Sequence, residues 1–102
     1  MRVEKIIKRD DGSRIKLDVS VGNYNFQNKF KYDIYVSVCK KGKRTFTGSY
    51  SSDSFSYRCL NHDDRQKYIL ESQLKLVSEK EIYDAQIELW QMLEPVLISS
   101  LV

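Results

Sequence analysis

Val3, Ile7, Ile15, Leu17, Val19 and Val21 fall on alternate positions around the turn-forming run Asp10-Asp11-Gly12. A period of two is the mark of a strand with one buried face. Loop length fixes the register. A two-residue loop at Asp11-Gly12 pairs Ile7 with Lys16 and sends the two apolar series to opposite faces. A three-residue loop pairs Arg9 with Ser13, Ile7 with Ile15, Lys5 with Leu17 and Val3 with Val19. Burial selects the second, with Gly12 in the left-handed region. A second hairpin follows the same logic. Tyr32, Ile34, Val36 and Val38 alternate with Asp33, Tyr35, Ser37 and Cys39, and Lys40-Lys41-Gly42 supplies a turn. A three-residue loop there pairs Val36 with Phe46, Ile34 with Gly48 and Tyr32 with Tyr50. A two-residue loop would instead set Thr45, Thr47 and Ser49 against the Val and Ile side chains.

Residues 22–29, rich in Asn, read as the loop between hairpins, with Tyr24 and Phe26 as a small lid. Past Tyr50, the run Ser51-Ser52-Asp53-Ser54 interrupts the alternation before Phe55, Tyr57 and Cys59 resume it. Residues 55–59 are either a fifth strand or the fourth continued past a bulge.

A helix is expected from Asn61, which can cap it, with Asp63 and Asp64 in its first turn. Its apolar stripe is Tyr68, Ile69, Leu70, Leu74, Leu76 and Val77. Ser78 and Glu81 then have the spacing of a capping box, and Val77 with Ile82 that of a hydrophobic staple. A second helix therefore starts at Glu79. Ile82, Leu89 and Leu93 form its stripe, Tyr83, Ile87 and Trp90 widen it, and Trp90 is the expected anchor against the sheet. Pro95 kinks or ends this helix near Glu94. The fold class is α+β: an antiparallel sheet of four or five strands followed by two C-terminal helices packed on one face.

Length and composition fit this reading. A chain of 102 residues, 41% hydrophobic and 30% charged with 4 Gly and 1 Pro, makes one folded domain, 1–102. It comprises a β-rich basic half (1–60) and a helical acidic half (61–102). No apolar run is long enough for a membrane-spanning helix, so no membrane contact is expected. The charged start, MRVEKIIKRDD, lacks the apolar stretch of an export signal, and a cytoplasmic location is expected.

The net charge of +3 conceals an asymmetry. Residues 1–50 hold 12 basic and 5 acidic side chains, and residues 51–102 hold 5 basic and 9 acidic. Lys8, Arg9, Arg14 and Lys16 decorate the first hairpin, and Lys40, Lys41, Lys43 and Arg44 surround the second turn. Basic hairpins with interleaved aromatics such as Tyr35 can neutralise phosphates and stack on bases. The solvated alternative is that edge strands carry lysine against sheet-to-sheet aggregation. In architecture alone, a basic sheet backed by helices broadly resembles several small DNA-contacting modules.

Enzyme chemistry has little foothold. Cys59 and His62 have ligand-like spacing and Asp63 could add an oxygen, but a structural zinc site needs four ligands. Cys39 and Cys59 read as small hydrophobes, His62 as a cap residue, and Asp63 with Asp64 as helix-dipole charges. A cysteine–histidine nucleophile pair would need an orienting group that the sequence does not mark. No phosphate loop, HExxH or GxSxG motif is present, so no catalytic residue, metal or cofactor is expected. The expected function is a small non-enzymatic binding or adaptor protein that contacts DNA or RNA, or an acidic protein, through its basic hairpins. The alternative is a self-associating structural or regulatory module, a homodimer through the apolar tail Val96, Leu97, Ile98, Leu101 and Val102.

Overall fold

The computed structural model describes residues 1–23, 29–56 and 69–100, with side chains excepted at 23, 29–30, 53–56 and 96–100. Four antiparallel strands, β1 (Arg2–Lys8), β2 (Arg14–Asn23), β3 (Lys29–Cys39) and β4 (Thr47–Ser56), pair in sequence order. A helical turn, α1 (Glu71–Leu74), and a long helix, α2 (Glu79–Ser100), follow. The α+β layout expected from the periodicities is the observed one.

The first hairpin takes the three-residue loop. Val3 faces Val19, Lys5 faces Leu17 and Ile7 faces Ile15. The Gly12 N–H donates to the Arg9 carbonyl at 3.1 Å, the Arg9 N–H donates to the Ser13 carbonyl at 2.9 Å, and Gly12 has φ 87°. A residue at positive φ after a tight turn gives the hairpin a twist that an L side chain resists.

The second hairpin departs from expectation. Gly42 does sit at φ 79°, in a turn closed by the Lys43 N–H on the Lys40 carbonyl. The ladder resumes only at Thr47, opposite Val38, so Val36 faces Ser49, Ile34 faces Ser51 and Tyr35 faces Tyr50. The odd displacement turns every β4 side chain to the other face. Two local facts favour it. Gly48 lies so close to β3 that a Cβ there would come within 1.8 Å of the Val36 carbonyl oxygen. Phe46 leaves the ladder and lies under two cations instead of entering the core. The strand then runs without a bulge from Thr47 to Ser56, through the serine run expected to break it. Residues 57–59 lie outside the described residues, as do the Tyr24–Phe26 lid and the first-helix cap at Asn61.

The core lies between the sheet and α2. Ile15, Leu17, Val19, Val21, Tyr32, Ile34 and Val36 from the sheet meet Ile82, Ala85, Leu89, Trp90 and Leu93. Trp90 stacks on Tyr32 with ring centroids 6.3 Å apart, as its anchor role requires. Burying a side chain of this size stabilises by about 1.5–3 kcal/mol. The helix starts at Glu79 with the expected box: the Glu81 N–H donates to Ser78 Oγ at 3.1 Å, and the Ser78 N–H donates to Glu81 Oε1 at 3.0 Å. Val77 and Ile82, the staple positions, are both buried.

Three helix expectations are corrected. The stripe expected to run through Val77 is not one helix: Ile69 and Leu70 precede the helical turn Glu71–Leu74, and Leu76 and Val77 follow it. Leu74 is exposed and Gln73 is buried in its stead. Its amide donates to the Ile34 carbonyl at 3.0 Å and to Ser51 Oγ at 3.1 Å, and its Oε1 accepts from the Leu70 N–H at 3.0 Å. Ser51 of the edge strand is thus roofed by an amide whose Nε2 and Oε1 are both hydrogen-bonded. Pro95 does not end α2, which continues to Ser100. The intrahelical bond that proline cannot make, to the Gln91 carbonyl, falls on the exposed side, where water can replace it.

Candidate functional site

The face of the sheet turned away from α2 is built from the alternate series. Arg14 pairs with Cys39, Lys16 with Ser37, and Asp18 with Tyr35. On β1, Lys8 stands beside Arg14 and Ile6 beside Lys16. Both hairpin turns lie at one end of this sheet, and they touch. A Cβ on Gly12 would come within 2.8 Å of Lys41 Cδ. The long connection from Lys40 to Phe46 folds back over the outer face. Cys39 and Ser37 are buried there although they point away from the core. The Cys39 thiol donates to the Lys43 carbonyl at 3.0 Å. Phe46 is half-buried, with the Arg14 guanidinium carbon 5.7 Å and Lys16 Nζ 5.5 Å from its ring centroid. These cations are held over an aromatic face.

The sequence-expected cations therefore divide. Lys8, Arg14, Lys16, Lys40, Lys41, Lys43 and Arg44 gather at the turn end. Of these, Lys16 has Glu4 at 3.9 Å, and the others have no carboxylate within 4 Å among the described residues. Arg9 goes elsewhere. Its guanidinium turns toward α2, donating to Glu81 Oε1 at 2.8 Å and to the Leu76 carbonyl at 3.2 Å. Its partner Glu81 is held below the ordinary carboxylate range, first by the Arg9 hydrogen bond. Asp10 and Asp11 share the turn end. The Asp11 carboxylate accepts from Ser13 Oγ at 2.6 Å and from the Ser13 N–H at 2.8 Å, and these bonds lower its pKa.

Tyr35 is exposed on the outer face, but its neighbours are not the basic cluster. It lies between Asp18 and the exposed Tyr50, whose hydroxyl donates to Asp33. Glu4, Asp18 and Arg2 form an ion-paired group in the same part of the face, and Lys31 Nζ stands 6.0 Å from the Tyr50 ring centroid. The outer face thus has a cationic turn end and a mixed, internally paired middle.

Sequence reasoning missed Phe46 and the acidic partner of Arg9. An aromatic preceded by Arg44 and Thr45 next to a glycine-bearing strand was the available signal for the first. Of the expected self-association tail, Val96, Leu97 and Ile98 continue the backbone of α2, and their side chains, with Leu101 and Val102, lie outside the described residues. Cys59, His62, Asp63 and Asp64 also lie outside them. Among the described residues no group of three or more His, Cys, Asp or Glu could hold a metal ion, and no helix is long and apolar enough to cross a membrane. Comparison with protein-family models, with curated proteins and with solved structures finds no match to this chain.

Proposed function

We propose that this chain is a non-enzymatic binding protein that holds a nucleic acid by its phosphates at the joined hairpin turns. The observation that carries the reading is the meeting of Lys41 with Gly12, which brings the basic Lys40–Arg44 connection to the turn that Lys8 and Arg14 flank. Lys8, Arg14, Lys40, Lys43 and Arg44 complete the patch. A cluster of cations without acidic partners favours a polyanion, since each contacted phosphate releases condensed counterions. The acidic residues Glu79, Asp84, Glu88 and Glu94 lie on α2, so the molecule is polarised and can orient as it approaches.

Titration of labelled single-stranded and duplex DNA and RNA tests the reading. Affinity should fall between about 50 mM and about 200 mM salt, with a log–log slope near −0.9 for each phosphate neutralised on duplex. Lys40→Gln, Lys43→Gln and Arg44→Gln together should weaken binding further and flatten the slope, leaving the unfolding midpoint unchanged or higher. No binding at the lower salt, or a triple variant that binds as well as the parent, overturns the proposal. Equal affinity for polyglutamate would reassign the patch to an acidic protein partner.

A further inference from the structure

Among the described residues, Tyr35 and Tyr50 are the aromatics that the sheet leaves most open to solvent, 37% and 51% exposed. They are register partners on β3 and β4. Tyr35 stands between the buried Ile34 and Val36, so it lies on the face turned away from α2, and the register puts Tyr50 on the same face. Cross-strand partners have Cβ atoms roughly 4.5–5.5 Å apart, so the two side chains cover adjoining ground. Neither belongs to the core.

Charge alternates along this face. On the side of the hairpin turns, Lys16 lies opposite Ser37 and Arg14 opposite Cys39. At about 3.4 Å per residue, Tyr35 is about 7 Å along the strand from the level of Lys16 and about 14 Å from that of Arg14. On the other side, Lys31 is exposed and its Nζ stands 6.0 Å from the Tyr50 ring centroid. Carboxylates occupy the ground between. Asp18 lies opposite Tyr35, Glu4 opposite Asp18, and Asp33 accepts from the Tyr50 hydroxyl. A duplex laid on this face would carry its phosphates over these carboxylates. A single strand can turn its phosphates away and its bases inward. Bases are neutral, and their exocyclic amino groups donate to carboxylates.

We infer that the nucleic acid held at the turn end is single-stranded, and that Tyr35 and Tyr50 take up its bases by stacking. The inference rests on the reading of the basic patch and names the form of its ligand. Phosphates sit at Lys40, Lys43 and Arg44, the next bases meet the tyrosine pair, and the strand leaves past Lys31. The distance from the level of Cys39 to Lys31 is about 27 Å. That is about eight nucleotides at the 3.4 Å rise of one stacked strand, and fewer when the strand is extended. Every base has a π face, so the platform tolerates sequence. One base stacked on an aromatic ring corresponds to roughly a five- to 150-fold effect on affinity.

The probes are an oligothymidine of about eight nucleotides and a DNA hairpin with a stem of about eight base pairs, each titrated against the full chain at about 50 mM salt. The oligothymidine should bind at least about tenfold more tightly, although the hairpin carries more phosphates. The Tyr35 and Tyr50 ring signals in NMR spectra should move upfield as the oligothymidine saturates the chain. Tyr35→Leu and Tyr50→Leu should each lower its affinity at least about fivefold and leave the salt slope as it was, because the rings carry no charge. Tyr35→Phe and Tyr50→Phe, which restore the rings, should recover what the leucines lose. Hairpin binding as tight as oligothymidine binding overturns the inference and leaves the patch standing. So do ring signals that stay in place at saturation, and leucine variants that bind like the parent. Where a leucine variant does not fold, the ring signals of the parent decide. Oligothymidine binding that falls with the leucines but ignores the triple glutamine variant keeps the tyrosine platform and overturns the patch. No binding of either probe overturns both.

Discussion

Glu81 joins the helix to the sheet through one oxygen. Its Oε1 accepts from Arg9 at 2.8 Å, from the Ser78 N–H at 3.0 Å and from Ser78 Oγ at 3.2 Å. Replacing the carboxylate by an amide separates its two roles. Glu81→Gln retains an acceptor for the Ser78 N–H, as capping boxes permit. It loses the charge facing Arg9 and the helix N-terminus. The ion pair is about one-third exposed on the arginine side (34% and 28%), so solvent screening leaves it roughly 0.5–1 kcal/mol. The helix dipole adds about 0.3–1 kcal/mol. A loss of about 1 kcal/mol is expected, which for a domain of this size lowers Tm by about 4–8 °C. Glu81→Ala removes the cap too, for a total near 2 kcal/mol.

Urea melts across pH give the decisive assay. The Arg9 hydrogen bond, and after it the Ser78 N–H, hold the Glu81 pKa below its ordinary value of 4.5, against an opposing effect of desolvation. A carboxyl with a depressed folded-state pKa stabilises fully above its unfolded value. That contribution disappears as pH falls through the folded value, where both states are protonated. The gap between the parent and Glu81→Gln should therefore be constant from neutral pH to about pH 5.5 and close in strong acid. Identical midpoint and slope for the two proteins at neutral pH would refute the reasoning. So would a gap that persists undiminished in strong acid, since it would not come from the charge.

Gln73→Leu conserves shape but removes the partners of the Leu70 N–H and the Ile34 carbonyl, so it should cost about 1–3 kcal/mol in a denaturant melt; a change within about 0.5 kcal/mol would mean that the amide does not roof β4. Gly48→Ala drives a Cβ toward the Val36 carbonyl oxygen and must push β4 from β3. Its β4 amides should lose hydrogen-exchange protection relative to β1 and β2, and equal protection across the sheet would contradict the close approach.

The parts of the fold that could be read from the chain are those where one local signal has a single good solution. Ile7, Ile15, Leu17 and Val19 can share a face only with a three-residue loop, and Ser78 with Glu81 can cap only a helix starting at Glu79. The second hairpin had no such constraint. Thr47, Ser49, Ser51 and Asp53 are too polar to reveal which β4 face turns inward, and the deciding partners are distant in sequence: Gln73 over Ser51, and the β3 backbone against Gly48. The buried glutamines have the same cause. Gln73 and Gln86 sit at helical positions where polarity suggests solvent, and only tertiary packing encloses them. Of the basic patch, the sequence showed the cations but not their allocation, because Arg9 finds Glu81 across 72 residues.

That allocation divides the charge of the first half between cations paired within the fold and cations with no carboxylate within 4 Å among the described residues. Arg2 bonds Glu4 on its own strand and Asp18 on β2, Lys5 reaches Glu88 at 2.8 Å, and Arg9 reaches Glu81. The last two tie β1 and the turn after it to α2, so the cations nearest the helix hold the two layers together. Lys40, Lys41, Lys43 and Arg44 hold nothing of this kind. Their closeness is self-repulsive and opposes the folded state unless an anion or salt intervenes. Screening acts over about 10 Å at 0.1 M salt, a range that covers the turn end, while the partly buried Arg9–Glu81 pair is screened less. Salt should therefore relieve the repulsion that folding concentrates there and, by the same screening, weaken the attraction of a polyanion. Two touching turns thus convert a diffuse positive charge in the sequence into a local one, and the repulsion they tolerate is the same field that would draw phosphate.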